Sequence, residues 1–141
     1  MTSRVPGWFI ALEERIAARI DAAVALYPKD DRRTVVMAIL RALHARADAV
    51  DPDGSWISIA LDASGAGPGD DRRGPDSVPP LASLADAEDV AEDISIMTTP
   101  TDEGSPIVAL RAAIHVAWTR HASELAPVDR ALLAAEAASF A

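Results

Sequence analysis

Trp8, Leu12, Ile16, Ile20 and Val24 stand four apart, with Phe9, Ala23 and Tyr27 widening the stripe, while Glu13, Glu14, Arg15 and Asp21 fall mainly off it. A period near 3.6 residues brings such positions onto one side of a helix, and that side can be buried only against another element. Pro6 suits a first helical turn and Pro28 disfavours helical geometry at Tyr27, so the two prolines bracket a helix over 8–27. After a short turn, Asp30 or Asp31 can cap a second helix whose apolar face is Val36, Ile39, Leu40, Leu43, Ala47 and Val50. So short a connection predicts an antiparallel pair. Near the other end, Ser105 and Pro106 open a helix carrying Ile107, Leu110, Ile114, Trp118, His121 and Leu125. Pro127 ends it ahead of an alanine-rich helix with Val128, Leu132, Leu133 and Phe140.

The middle of the chain changes period. Ile57, Ile59 and Leu61 alternate with Trp56, Ser58, Ala60 and Asp62, and Ile94 and Ile96 alternate with Asp93, Ser95 and Met97. A two-residue repeat predicts short strands, so residues 56–62 and 94–99 are expected to pair as an antiparallel ribbon packed on the helices. A rival reading runs a helix from Ser83 through Leu84, Ala87, Val90 and Ala91 to Ile94, and both hold if that helix ends near Glu92. Between these segments, residues 63–80 contain four glycines and four prolines in eighteen positions and read as a flexible loop.

Composition supports the helical reading. Thirty of the 141 residues are alanine and only six are aromatic, which suits closely packed helices and starves a sandwich or barrel of the β-branched and aromatic residues it needs. The expected fold is therefore mainly α, a four- to five-helix bundle carrying the two-stranded ribbon, built as a single domain over 1–141. At this length a chain buries roughly two thirds of its unfolded surface and needs no disulfide or structural metal. With no cysteine, disulfides, thiolate metal sites and cysteine nucleophiles are excluded. No apolar run reaches the ~20 residues of a membrane span, and Glu13, Glu14, Arg15 and Arg19 interrupt the segment where a signal peptide would be apolar, so a cytoplasmic location is expected.

The net charge of −9 is unevenly spread. Residues 1–50 balance at +2 and residues 105–141 at zero, whereas 51–104 balance at −11. Such a segment repels phosphate and anionic lipid and attracts a basic partner. Arg32, Arg33, Arg41 and Arg46 spread around the second helix without interleaved exposed aromatics, which does not make a nucleic-acid surface.

Several patterns resemble chemistry and fail on detail. Asp51, Asp53, Ser55 and Asp62 fall at positions 1, 3, 5 and 12 of a calcium-loop window, yet Trp56 occupies the position where the sharp turn needs glycine. Gly65, Gly67 and Gly69 lack the following helix and lysine of a phosphate loop, and Asp70 and Asp71 would repel the anion. Glu88 with Glu92, and Asp89 with Asp93, lie one helical turn apart, but no glutamate has a histidine three residues on, as a di-iron bundle would require. His115 and His121 point about 120° apart on one helix and cannot share a metal as neighbours. Neither a metal nor another cofactor is expected.

What remains is a non-catalytic protein–protein interaction module, such as an accessory subunit, a chaperone-like binder, or an immunity or regulatory protein. Its expected contact surface is Trp8, Phe9 and Ile10 at the head of the first helix together with Glu88, Asp89, Glu92 and Asp93. The partner is a protein, basic by the charge argument, or a second copy of the chain; nucleic acid and membrane are not expected partners. The alternative from another class is a small helical enzyme or ligand-binding protein with a pocket of His44, Arg111, His115, Trp118 and His121. A third reading is a structural assembly subunit. Convergent histidines would mark the pocket protein, and scattered ones fit the contact module.

Overall fold

The computed structural model describes residues 7–64, 85–97 and 106–140. They form six α-helices: α1 Gly7–Ala25, α2 Arg32–Val50, α3 Ser55–Ser64, α4 Ala85–Ser95, α5 Pro106–His121 and α6 Pro127–Ala138. Single 3-10 turns precede α2 at Lys29–Asp31 and follow α5 at Ala122–Glu124. The mainly α expectation holds, with six helices where four to five were expected, and there is no strand among the described residues. No helix there is long and apolar enough to cross a membrane.

The ribbon is the principal correction. Trp56–Asp62 lies inside α3, residues 94 and 95 finish α4, Ile96 and Met97 form the turn after it, and residues 98 and 99 lie outside the described residues. The alternation over 56–62 is short enough to serve a helix as well, because Trp56, Ile57 and Ala60 fall on one helical face. That face is buried, Trp56 and Ala60 completely, while Ser58 and Asp62 are exposed. Local chemistry before α3 favours the helix. Gly54 turns the chain with φ of +77°, and the Asp51 carboxylate accepts the Ser55 backbone N–H at 3.0 Å and the Ser55 hydroxyl as well, satisfying a free donor of the first turn. In α4 the buried positions Ala87, Val90, Ala91 and Ile94 follow the i, i+3, i+4, i+7 spacing of the rival helical reading, which runs past Glu92 to Ser95. Its Ser83 cap, and residues 65–80 of the expected loop, lie outside the described residues.

α5 is the centre of the molecule. Ala109, Leu110, Ala112, Ala113, Ile114, Val116, Ala117 and Trp118 are all buried, so the helix is apolar around most of its circumference, and α1, α2, α3 and α4 all pack on it. Its alanines let neighbouring backbones approach closely. The expected α1–α2 pair is not the organising contact: α1 lies on α5 and α4 and barely meets α2. Leu12, Ile16 and Ile20 are buried, but the core they enter is shared among helices from both halves of the chain.

Arginine–carboxylate pairs tie this arrangement together. Arg33 donates to the fully buried Asp129 carboxylate through Nε at 2.5 Å and an amino group at 2.6 Å, and Arg41 makes the same two-pronged contact with Glu136 at 2.9 and 2.7 Å, so α6 is fastened to α2 at both ends. Asp129 also accepts the Ala126 backbone N–H at 2.9 Å, which closes the start of α6. Arg19 reaches Asp93 at 2.8 Å and Arg15 donates to the Met97 carbonyl at 3.1 Å, joining α1 to α4 in antiparallel register.

Candidate functional site

The residues singled out for a histidine pocket separate into three environments. His44 is buried on α2, its ring stacked on that of Trp56 with centroids 5.1 Å apart, and Phe140 meets Trp56 edge-on at 5.3 Å. Burial pushes the imidazole from its ordinary 6.5 to about 4, so it is neutral at pH 7. Trp118 is fully buried on α5. His44 Nε2 and the indole nitrogens of Trp56 and Trp118 have no hydrogen-bond partner among the described residues.

His121 ends α5 and faces α1. Its Nε2 lies 2.8 Å from the Asp21 carboxylate, which also accepts a forked contact from Arg120, with Nε at 3.1 Å. The Arg120 guanidinium is the main influence holding the Asp21 carboxyl below its ordinary range; burial opposes it and His121 adds to it. In return Asp21 raises the pKa of Arg120. This cluster fastens the end of α1 to the end of α5.

Arg111 and His115 are exposed and border an open cleft of about 380 Å³ between α1, α3 and α5. Phe9 and Glu13, one turn apart, line it from α1; Ile59 lines it from α3; Val108, Arg111, Ala112 and His115 form one stripe along α5. Where a larger residue at 112 would fill the space between the helices, Ala112 leaves a floor, and Phe9, Ile59 and Val108 supply half-buried apolar walls. Glu13 and Arg111 project at this cleft, and neither side chain makes a hydrogen bond or ion pair among the described residues. The Asp51 carboxyl, held below its ordinary range chiefly by the Ser55 hydroxyl, senses Arg111 only as the weakest of several influences.

Of the five pocket candidates, therefore, Arg111 and His115 come together, while His44, Trp118 and His121 lie elsewhere. Glu13, Ile59, Val108 and Ala112 completed the cleft without being singled out by sequence. The helical spacing 108–111–112–115 was available as a signal, but the opposition of α5 to α1 and α3 is tertiary.

The expected contact surface is also divided. Trp8 stands in the first turn of α1; Phe9 packs partly against the core beside the cleft; Ile10 is 48% exposed. On α4, Glu88, Asp89 and Glu92 are exposed, whereas Asp93 is half-buried in its pair with Arg19. The calcium window is divided between the turn at 51–54 and α3, and among the described residues no cluster of three histidine, aspartate or glutamate side chains could hold a metal ion. No family model, no curated protein and no solved structure matches the chain.

Proposed function

We propose that this chain is a non-catalytic protein–protein interaction module that engages a basic protein partner through the exposed face of α4. The observation that carries the reading is the lack of countercharge there. Glu88, Asp89 and Glu92 make no ion pair among the described residues, α4 contains no basic residue, and the arginines that α1 sends toward α4 are already committed, Arg19 to Asp93 and Arg15 to the Met97 carbonyl. A row of unneutralised carboxylates on a helix whose other face is firmly in the core steers a cationic surface toward it without distorting the fold. The dispersal of the histidines among a stacked core site, an ion-pair cluster and a cleft rim supports contact rather than acid–base chemistry.

The test is capture from extracts of the native host by the wild-type chain and by the triple variant Glu88→Gln, Asp89→Asn, Glu92→Gln, which spares Asp93. The reading expects a basic protein retained by the wild type at low salt and lost by the variant, with the helical circular dichroism unchanged. Equal retention by both chains would contradict it.

A second reading, ligand binding, is favoured by the cleft itself. Its volume of about 380 Å³ falls in the range of roughly 300–1,000 Å³ usual for small-molecule sites, and it joins an apolar floor to a few polar groups.

A further inference from the structure

The cleft between α1, α3 and α5 carries two side chains of opposite charge that make no hydrogen bond or ion pair among the described residues, Glu13 from α1 and Arg111 from α5, beside the apolar Phe9, Ile59, Val108 and Ala112; Arg111 also lies in the field of the Asp51 carboxylate. The two belong to helices that pack against each other, yet they do not close the gap between them as an ion pair. Elsewhere the same two helices do satisfy their charges across the interface, where Asp21 takes Arg120 and His121. At the cleft no such pair forms, and a bound molecule that carries both charges would bridge them.

We propose that the cleft binds a small zwitterion bearing an apolar group, for which an α-amino acid with a branched or aromatic side chain is the simplest case. Arg111 receives the carboxylate, with His115 one turn further along α5 as a second donor; Glu13 receives the ammonium; Phe9, Ile59 and Val108 enclose the apolar group. The residue types suit these roles. A guanidinium offers a planar fork that matches a carboxylate, and a carboxylate accepts the several N–H bonds of an ammonium. The cleft volume accommodates one such molecule. The openness of the site implies exposure of one side of the ligand to water, so modest affinity is expected, in the range of about 0.1–1 mM by the usual scale of small-ligand binding.

This inference rests on the ligand-binding reading of the cleft, and the experiment separates the two. Full-length chain labelled with ¹⁵N is titrated with L-phenylalanine and L-leucine, with N-acetyl-L-phenylalanine, which lacks the ammonium, with L-phenylalaninamide, which lacks the carboxylate, and with glycine, which lacks the apolar group. The proposal expects saturable shifts of the Ile59, Val108 and Ala112 amides with the two apolar amino acids, and binding about tenfold weaker or worse for each of the other three. Arg111→Gln should weaken L-phenylalanine about tenfold while leaving L-phenylalaninamide unchanged, and Glu13→Gln should weaken L-phenylalanine while leaving N-acetyl-L-phenylalanine unchanged. Both substitutions are at solvent-accessible positions, and an unaltered amide spectrum without ligand verifies the fold. If the acetylated or amidated compounds bind in the cleft as tightly as the parent, the zwitterion assignment is overturned while the ligand reading stands. If no compound moves the cleft amides at 10 mM, both fall.

Discussion

His44 shows how one buried side chain contributes to the pH response of the molecule. Its pKa lies at about 4 in the folded chain because the imidazole is desolvated, against an ordinary value of 6.5. The unfolded chain therefore binds more protons between those values, and stability falls as the pH drops from about 6.5 to about 4. At 1.36 kcal/mol per unit the loss amounts to about 3 kcal/mol. Urea unfolding at pH 7, 5.5 and 4.5 should show this decline, and His44→Phe should flatten it over that window. Asp21 acts lower on the scale: its depressed pKa contributes stability above the ordinary carboxylate range that is lost only as the pH falls through the folded value, so the two effects separate. The ion pairs on α6 differ in the same physical way. Asp129 is fully buried under Arg33, whereas Glu136 is 37% exposed beside Arg41. Asp129→Ala leaves a guanidinium facing a buried gap and should cost about 3 kcal/mol; Glu136→Ala should cost less than about 1 kcal/mol. Denaturant midpoints of the two variants check the ordering.

At the scale of elements, α3 depends on the turn that starts it. Gly54 has a φ that side-chain-bearing residues rarely adopt, and a Cβ there would lie 2.8 Å from Ile57 Cδ1. Gly54→Ala should therefore destabilise by about 1–2 kcal/mol through strain and displacement of Ile57, measurable as a lower thermal midpoint with the helical signal retained. This turn also explains what could be read from the sequence and what could not. The long stripes of α1, α2 and α5 are strong periodic signals and Pro127 marks the start of α6, and these helices lie close to where spacing and prolines place them. Residues 56–62 span fewer than two helical turns, too few to distinguish period 2 from period 3.6, and the capping role of Asp51 was hidden inside a resemblance to a calcium loop. The cleft was partly legible for the same reason. Arg111 and His115 share a face by spacing alone, but Glu13, Ile59 and Phe9 join them only because α1 and α3 both lie on α5, a pairing of distant segments that local pattern does not encode.

For the whole molecule, the decisive asymmetry is electrostatic. The chain carries −9 overall and −11 within residues 51–104, and on α4 Glu88, Asp89 and Glu92 present part of that excess to solvent. Long-range attraction of this kind acts on the association rate, is screened over about 10 Å at 0.1 M salt, and leaves dissociation largely to short-range contacts. The measurement that bears most directly on the proposed contact role is therefore the association rate of the captured basic partner with the wild-type chain and with the Glu88→Gln, Asp89→Asn, Glu92→Gln variant, followed by stopped flow from low to high salt. The α4 reading predicts that the wild-type rate exceeds the variant's by about tenfold at low ionic strength, and that the two converge as salt rises while their dissociation rates stay similar. Equal association rates at low salt would contradict it.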